Sequence, residues 1–164
     1  MQAPIISFVA KGTNSGKTYL MEKLVGEFKA RGKKVTAVKH GTHRMEVDKE
    51  GKDTWKFAQQ GADRIILFSD RALLLYELKE PDLDHLVSLA REGSDIVLVE
   101  GYRDSDVPHV EVVRGTPGFV GSPERRVAVV TDLALDVDVP VFDLDDVAGV
   151  VGFLEAMLPL QPHA

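Results

Sequence analysis

The stretch that most constrains this chain is Lys11-Gly12-Thr13-Asn14-Ser15-Gly16-Lys17-Thr18. An apolar run, Ile5 to Ala10, leads into it. A helical pattern leads out, with Leu20, Leu24 and Phe28 on one stripe and Met21 and Val25 beside it. A turn passing from strand to helix leaves the first helical N–H groups without intrahelical partners. It also aims the positive end of the helix dipole at whatever precedes it, so a phosphate is the favoured occupant. Gly16 lets the backbone approach that phosphate with no Cβ in the way. Lys17 brings an ammonium to the terminal phosphates, and the Thr18 hydroxyl a ligand for the bridging Mg²⁺. Gly12, Thr13, Asn14, Ser15, Gly16, Lys17, Thr18 and Tyr19 are the expected nucleotide-binding residues. The strict phosphate-loop pattern asks for glycine at position 11, where this chain has Lys11 and places Gly12 one residue late. That leaves the shape of the start of the loop open. The bland alternative is a glycine-rich turn carrying an exposed lysine.

Further along, Lys34–Lys39 reads as a second strand and Arg31-Gly32 as the stop of the first helix. The polar stretch from His40 to Lys52 reads as a loop, and a short helix follows to Gly61. Ala62–Phe68 and Ala72–Glu77 are strand-like, with Ser69-Asp70-Arg71 as the turn of a hairpin. Pro81 opens a helix that Gly93 ends. Asp95–Val99, His109–Arg114, Val127–Val130 and Pro140–Phe142 are further strands, the first a nearly continuous apolar run and the third wholly apolar, as in strands buried on both faces. Thr116–Pro123, rich in Gly and Pro, is a loop. Val147, Val150, Val151, Leu154 and Leu158 lie on one face of a last helix, stopped by Pro159. Strands alternating with helices predict a layered α/β fold, and the phosphate loop makes it the three-layer P-loop NTPase type. It has a mostly parallel sheet, a β-hairpin extension, and one nucleotide-binding domain over residues 1–164. In such folds the ligand sits beyond the carboxyl ends of the strands. That gathers Lys11–Thr18, Lys39–His43, Glu100–Asp104 and Thr131-Asp132 at one edge.

Three groups of side chains gain meaning from that edge. Glu100, closing an apolar strand and preceding Gly101, stands where a P-loop protein keeps its magnesium carboxylate, so Lys17 and Glu100 are the expected catalytic pair. The competing reading is a glutamate where a strand leaves the core. His40, His43, Asp48 and Asp53 form a second group. His-x-x-His invites a metal reading, but a switch-like loop fits better, with Asp48 joining Thr18 and Glu100 near Mg²⁺ and His43, Arg44 or Lys52 near phosphate. Asp132 is the third, since a carboxylate can accept guanine N1–H and N2–H together, a match that adenine lacks. A plain turn role for Asp132 stands beside that reading.

Several of these stretches resemble the molybdopterin-guanine dinucleotide biosynthesis protein B (MobB) family. They are Asn14–Thr18, Val38-Lys39-His40-x-x-His43, Val47-Asp48-x-x-Gly51-Lys52-Asp53-Thr54, Gly61-Ala62 and Val99-Glu100-Gly101-Tyr102. The resemblance runs from about Ile5 to Leu158. It implies a P-loop fold, GTP and Mg²⁺ as cofactors, weak hydrolysis and a homodimer. It also implies a role assisting the guanylyltransferase that attaches GMP to molybdopterin, with molybdopterin itself as a further candidate ligand.

Composition narrows the field. The chain has no cysteine, which removes disulfides, zinc-thiolate sites and a Cys nucleophile. Its net charge of −6 is uneven, with ten Lys/Arg against five Asp/Glu up to Glu50 and no Lys or Arg after Arg126. The basic residues are scattered and the total acidic, so no nucleic-acid partner is expected. With no signal peptide or long apolar segment, the expectation is a cytoplasmic protein without membrane contact. Two other activities fit a phosphate loop. A small-molecule kinase or ligase would want an arginine-rich lid, and the arginines here are dispersed. A metal-delivery GTPase would want soft ligands, and only histidines are on offer.

Overall fold

The computed structural model describes residues 2–12, 15–41, 48–80, 82–102 and 106–157. They fall into two compact units: Met1–His40 with Val87–Ala164, and Gly41–Leu86.

The first unit is built on a six-stranded sheet. In chain order it contains β1 (Ile5–Val9), α1 (Lys17–Ala30), β2 (Val35–Lys39), β5 (Ile96–Glu100), β6 (His109–Val113), β7 (Arg126–Thr131), β8 (Val141–Asp143) and α4 (Val147–Ala156). The strand order is β2-β5-β1-β6-β7-β8, and every pairing is parallel. All six carboxyl ends therefore share one edge, and β1 sits in the middle of it. Side chains alternate across the strands. Ile6 and Phe8 of β1, Ile96 and Leu98 of β5, and Val110 and Val112 of β6 join Leu20, Leu24 and Phe28 of α1 and Val150, Val151 and Leu154 of α4 in one buried layer. Ile5, Val97 and Val99 face the other way and pack with Ala90, Val87 and Val107. The stripe read on α1 is the buried one: Leu20, Met21, Leu24 and Phe28.

Parallel neighbours need a crossover, usually a helix. Between β6 and β7 there is none, only a 3₁₀ turn at Pro123–Arg125. Gly115, Pro117, Gly118, Gly121 and Pro123 oppose a helix in that stretch. An extended segment covers the sheet instead, and it brings backbone polar groups into a buried place. Glu111, fully buried at the middle of β6, meets them, accepting the N–H of Val120 at 2.7 Å and of Gly121 at 3.2 Å. His109 Nε2 and Arg126 Nε each lie 3.6 Å from the same carboxylate. The Arg126 guanidinium also lies 3.8 Å from the centre of the Phe119 ring. Burial pushes the Glu111 carboxyl upward, but His109, the two N–H groups and Arg126 together outweigh that and hold it below the usual range. Gly121 is needed on steric grounds: a Cβ there would lie 2.2 Å from His109 Nε2.

The second unit holds α2 (Asp53–Gln59) and a hairpin of β3 (Arg64–Phe68) and β4 (Leu73–Glu77). The hairpin is antiparallel, with Phe68 opposite Leu73, and the Ser69 N–H donates to the Ala72 carbonyl at 2.8 Å to close the turn. It is the hairpin expected from the sequence, and it forms a sheet of its own. Ile65 is buried, but several of its other apolar residues are not covered: Phe68 is 77% and Leu73 71% exposed. The helix α3 (Leu83–Arg91) follows it. Among the described residues no helix is long and apolar enough to cross a membrane. Pro81, Leu158 and Pro159 lie outside the described residues.

Candidate functional site

The loop after β1 delivers the chain to α1 through two left-handed glycines, Gly12 at φ 78° and Gly16 at φ 86°. Side chains rarely tolerate that backbone, so these glycines are required by the turn as well as by a ligand. Gly16 is the N-cap of α1, no side chain caps the helix, and its first turn carries no acidic residue. The leading N–H groups of α1 therefore remain available to an anion. Lys17 folds back along the loop, its ammonium donating to the Gly12 carbonyl at 3.1 Å and the Ser15 hydroxyl at 2.9 Å. Lys11, at the position usually held by glycine, keeps an ordinary backbone, and its side chain runs beside Gly118 of the β6–β7 crossover. Thr13 and Asn14 lie outside the described residues.

The neighbouring strand end completes the arrangement. β5 pairs with β1 so that Phe8 lies opposite Glu100. Glu100 Oε1 accepts the Thr18 hydroxyl at 2.9 Å, although the two residues are 82 apart in sequence. On its other side β5 pairs with β2, Lys39 opposite Glu100, and the Lys39 ammonium stands 3.6 Å from Glu100 Oε2. Two hard oxygen donors beside a phosphate loop suit Mg²⁺, which takes one or two protein oxygens and fills the rest of its octahedron with phosphate and water. The ammonium already at Glu100 marks the same spot as a place for positive charge. The strand end is shaped to hold this carboxylate. Gly101 turns at φ 87° and Tyr102 at φ 66°, a conformation that costs a tyrosine energy. The Ser7 hydroxyl donates to the Gly101 carbonyl, the Gly101 N–H to Phe8 O at 2.9 Å, and the His40 N–H to Glu100 O at 3.1 Å. The His40 and Tyr102 rings pack at a tilt of 57°, their centres 5.3 Å apart. Replacing Glu100 by Gln keeps this shape and removes the charge. The Mg²⁺ concentration needed for half-maximal nucleotide binding should rise about tenfold or more, nucleotide binding without metal changing less. Superimposable Mg²⁺ titrations of the two proteins would refute the assignment.

The remaining expected residues fare unevenly. Asp132 follows β7, two strands from β1, and its Oδ1 accepts the Gly115 N–H at 2.9 Å. It thus ties the ends of β6 and β7 together while keeping acceptor capacity. Asp48 belongs to the second unit, where Thr54 Oγ1 and the Lys49 N–H each donate to it at 2.7 Å. Those bonds, Thr54 first, hold its carboxyl below the usual range. His43, Arg44, Arg103 and Asp104 lie outside the described residues. Among the described residues no three His, Asp or Glu side chains gather as a metal cage.

Two residues carried no role in the sequence reading. Lys39 sat inside a quoted motif, and only the β2–β5 register reveals its carboxylate partner. Glu111 had a visible signal, a charge at the centre of the apolar strand His109-Val-Glu-Val-Val.

An open helix N-terminus after the central parallel strand, a lysine in the loop, and a hydroxyl–carboxylate pair beside it define an α/β protein of the P-loop NTPase-type fold. The comparisons narrow this. The family described as molybdopterin guanine dinucleotide synthesis protein B, MobB, matches residues 5–132. The chain is 35% identical to the molybdopterin-guanine dinucleotide biosynthesis adapter protein of Haemophilus influenzae, covering 96% of this chain and 90% of that one. It is 33% identical to the Escherichia coli protein of the same name, with coverage of 96% and 95%. The crystal structure of Bacillus subtilis MobB superposes with a TM-score of 0.77 at 23% identity, over 96% of this chain and 99% of that one. A crystal structure described as molybdopterin-guanine biosynthesis protein B gives 0.73 at 25% identity, over 94% and 99%. This chain belongs to the MobB family.

Proposed function

We propose that this protein binds Mg²⁺-GTP and acts as an adapter in the formation of molybdopterin guanine dinucleotide, assisting the guanylyltransferase that joins GMP to molybdopterin. The observation that carries the nucleotide half is the Thr18–Glu100 pair at 2.9 Å beside an uncapped helix N-terminus. The pathway half rests on the names of the Haemophilus and Escherichia relatives. The GTP preference rests on Asp132, whose carboxylate can accept two guanine donors from the end of β7.

Hydrolysis by the protein alone is slow on this reading. Phosphoryl transfer needs positive charge at the terminal phosphate beyond the loop lysine and Mg²⁺. Lys39, paired with Glu100, is the nearest further cation among the described residues of the metal side. The nucleotide then serves chiefly as a ligand that sets the surface offered to the partner enzyme. A homodimer fits the uncovered hairpin, since Ile66, Phe68 and Leu73 are each more than half exposed and a second copy would bury them. The cytoplasm, where molybdopterin and GTP meet, is the proposed location.

The test is a reconstituted guanylylation assay. Adding the protein with Mg²⁺-GTP should raise the yield of guanine dinucleotide cofactor above that of the transferase alone, and the Lys17→Ala protein should raise it less. Equal yields with and without the protein would overturn the adapter role.

A further inference from the structure

The metal pair fixes which way a bound nucleotide runs. Thr18 and Glu100 meet on the β5 side of β1, so the terminal phosphates that share the Mg²⁺ lie on that side. The innermost phosphate and the nucleoside then leave the loop in the opposite direction, over the ends of β6, β7 and β8.

A braced carboxylate stands there. Asp145 lies in the turn between β8 and α4, and its Oδ1 accepts two donors from α1: the Tyr19 hydroxyl at 3.4 Å and the Lys23 ammonium at 3.2 Å. Lys23 also sits 4.1 Å from the centre of the Tyr19 ring, so the three side chains touch one another. The turn beneath them is held as well. The Asp145 N–H donates to Asp143 Oδ1 at 2.9 Å, the Asp146 N–H to the Asp143 carbonyl at 3.1 Å, and Asp146 caps α4 through the Gly149 N–H at 2.9 Å. Yet the Asp145 side chain is 75% exposed, and its Oδ2 has no hydrogen-bond donor among the described residues. This is an acceptor fixed in place with one oxygen open.

Its position selects the group it would meet. Tyr19 is the residue after the metal ligand Thr18, in the first turn of α1, and so stands next to the innermost phosphate. The sugar is the first group beyond that phosphate, and the base comes after it. Asp132 lies on the neighbouring strand, since β7 and β8 pair with Thr131 opposite Asp143. The two carboxylates differ in layer: Asp145 lies against α1, on the face of the sheet that α1 and α4 cover, beside the innermost phosphate, while Asp132 lies at the strand ends, bonded to Gly115, so the sugar falls to Asp145 and the base to Asp132. A carboxylate is a natural acceptor for vicinal ribose hydroxyls. Lys23 beside Asp145 offsets the repulsion that an unpaired carboxylate would exert on a triphosphate.

We infer that Asp145, braced by Tyr19 and Lys23, accepts the ribose hydroxyls of the bound nucleotide and makes the site selective for ribonucleotides. The inference rests on the nucleotide-binding reading above and adds a specificity residue to it.

The test measures equilibrium binding of GTP, 2′-deoxy-GTP, 3′-deoxy-GTP and ATP, each with Mg²⁺, to the full chain. Wild type should prefer GTP over at least one deoxy-GTP by about tenfold, the scale of one hydrogen bond to a charged acceptor. Asp145→Ala should lower GTP affinity by a similar factor, leave that deoxy-GTP nearly unchanged, and so bring their ratio near one while the GTP-to-ATP ratio holds. Tyr19→Phe, which removes one brace and keeps the ring, should reduce the ratio part of the way. Equal wild-type binding of all three guanine nucleotides would overturn the inference and leave the nucleotide site standing, as would discrimination undiminished in Asp145→Ala. A GTP-to-ATP ratio that collapses in Asp145→Ala would also overturn it, by assigning the carboxylate to the base. Wild-type protein that binds none of the four would overturn the inference together with the reading beneath it.

Discussion

Lys17→Ala should bind Mg²⁺-GTP about a hundredfold more weakly than wild type, with the far-UV circular dichroism unchanged. The ammonium is held inside the loop by the Gly12 carbonyl and the Ser15 hydroxyl, within reach of any phosphate in the cradle. Hydrogen bonds to charged groups contribute roughly 1.5–3 kcal/mol each, and the terminal phosphates would accept more than one from Lys17. The folded state loses little, because its two present partners are one carbonyl and one hydroxyl at the surface of the loop. Isothermal calorimetry measures the affinity. A variant that binds GTP as tightly as wild type would remove Lys17 from the phosphate site, and the P-loop assignment with it.

The second large effect is on stability. Glu111→Ala should destabilise the protein by about 3–5 kcal/mol, the scale for removing one partner from a buried charged cluster. The Val120 and Gly121 N–H groups would lose their acceptor, and His109 and Arg126 would face a cavity. For a chain of this size that corresponds to a melting temperature lower by about 10 °C or more. The pH dependence has a definite sign. The folded Glu111 carboxyl is held below its ordinary value, so its contribution is fully present above the unfolded value of about 4.3 and is lost as pH falls through the lower folded one. Urea denaturation should therefore show a constant gap between wild type and variant down to about pH 5, and a narrowing gap below pH 4. A gap that widens on acidification would show that the carboxylate is not the stabilising form. Because the same crossover brings Gly118 against Lys11, its loosening should also weaken nucleotide binding modestly.

Much of this was legible in one dimension because the signals are local. The phosphate loop is read from consecutive residues, since the turn, the helix start and the lysine act through backbone within about ten positions of one another. Glu100 was legible for a related reason: a run of four fully buried apolar residues ends on it, and an ion there calls for a binding partner. The hairpin turn and the helix stripes likewise follow from short periodicities.

The sequence by itself determined the α/β class, the glycine-rich loop between β1 and α1, the carboxylate that closes β5 and the absence of cysteine chemistry. Only the tertiary structure decided which charges meet. Strand order is set by how the two apolar faces are covered, and no local pattern carries it. The β2-β5-β1 order puts Lys39 and Thr18 on either side of Glu100. The β1-β6-β7-β8 order sets Asp132 and Asp145 at neighbouring strand ends, with Tyr19 and Lys23 reaching Asp145 across more than 120 residues of chain. Glu111 was visible as an anomaly, but its meaning required the helix-free crossover whose N–H groups it satisfies. The physical reason is the same each time: Coulomb and hydrogen-bond energies depend on distance in space, and the chain brings these groups within a few ångströms only after the sheet has formed.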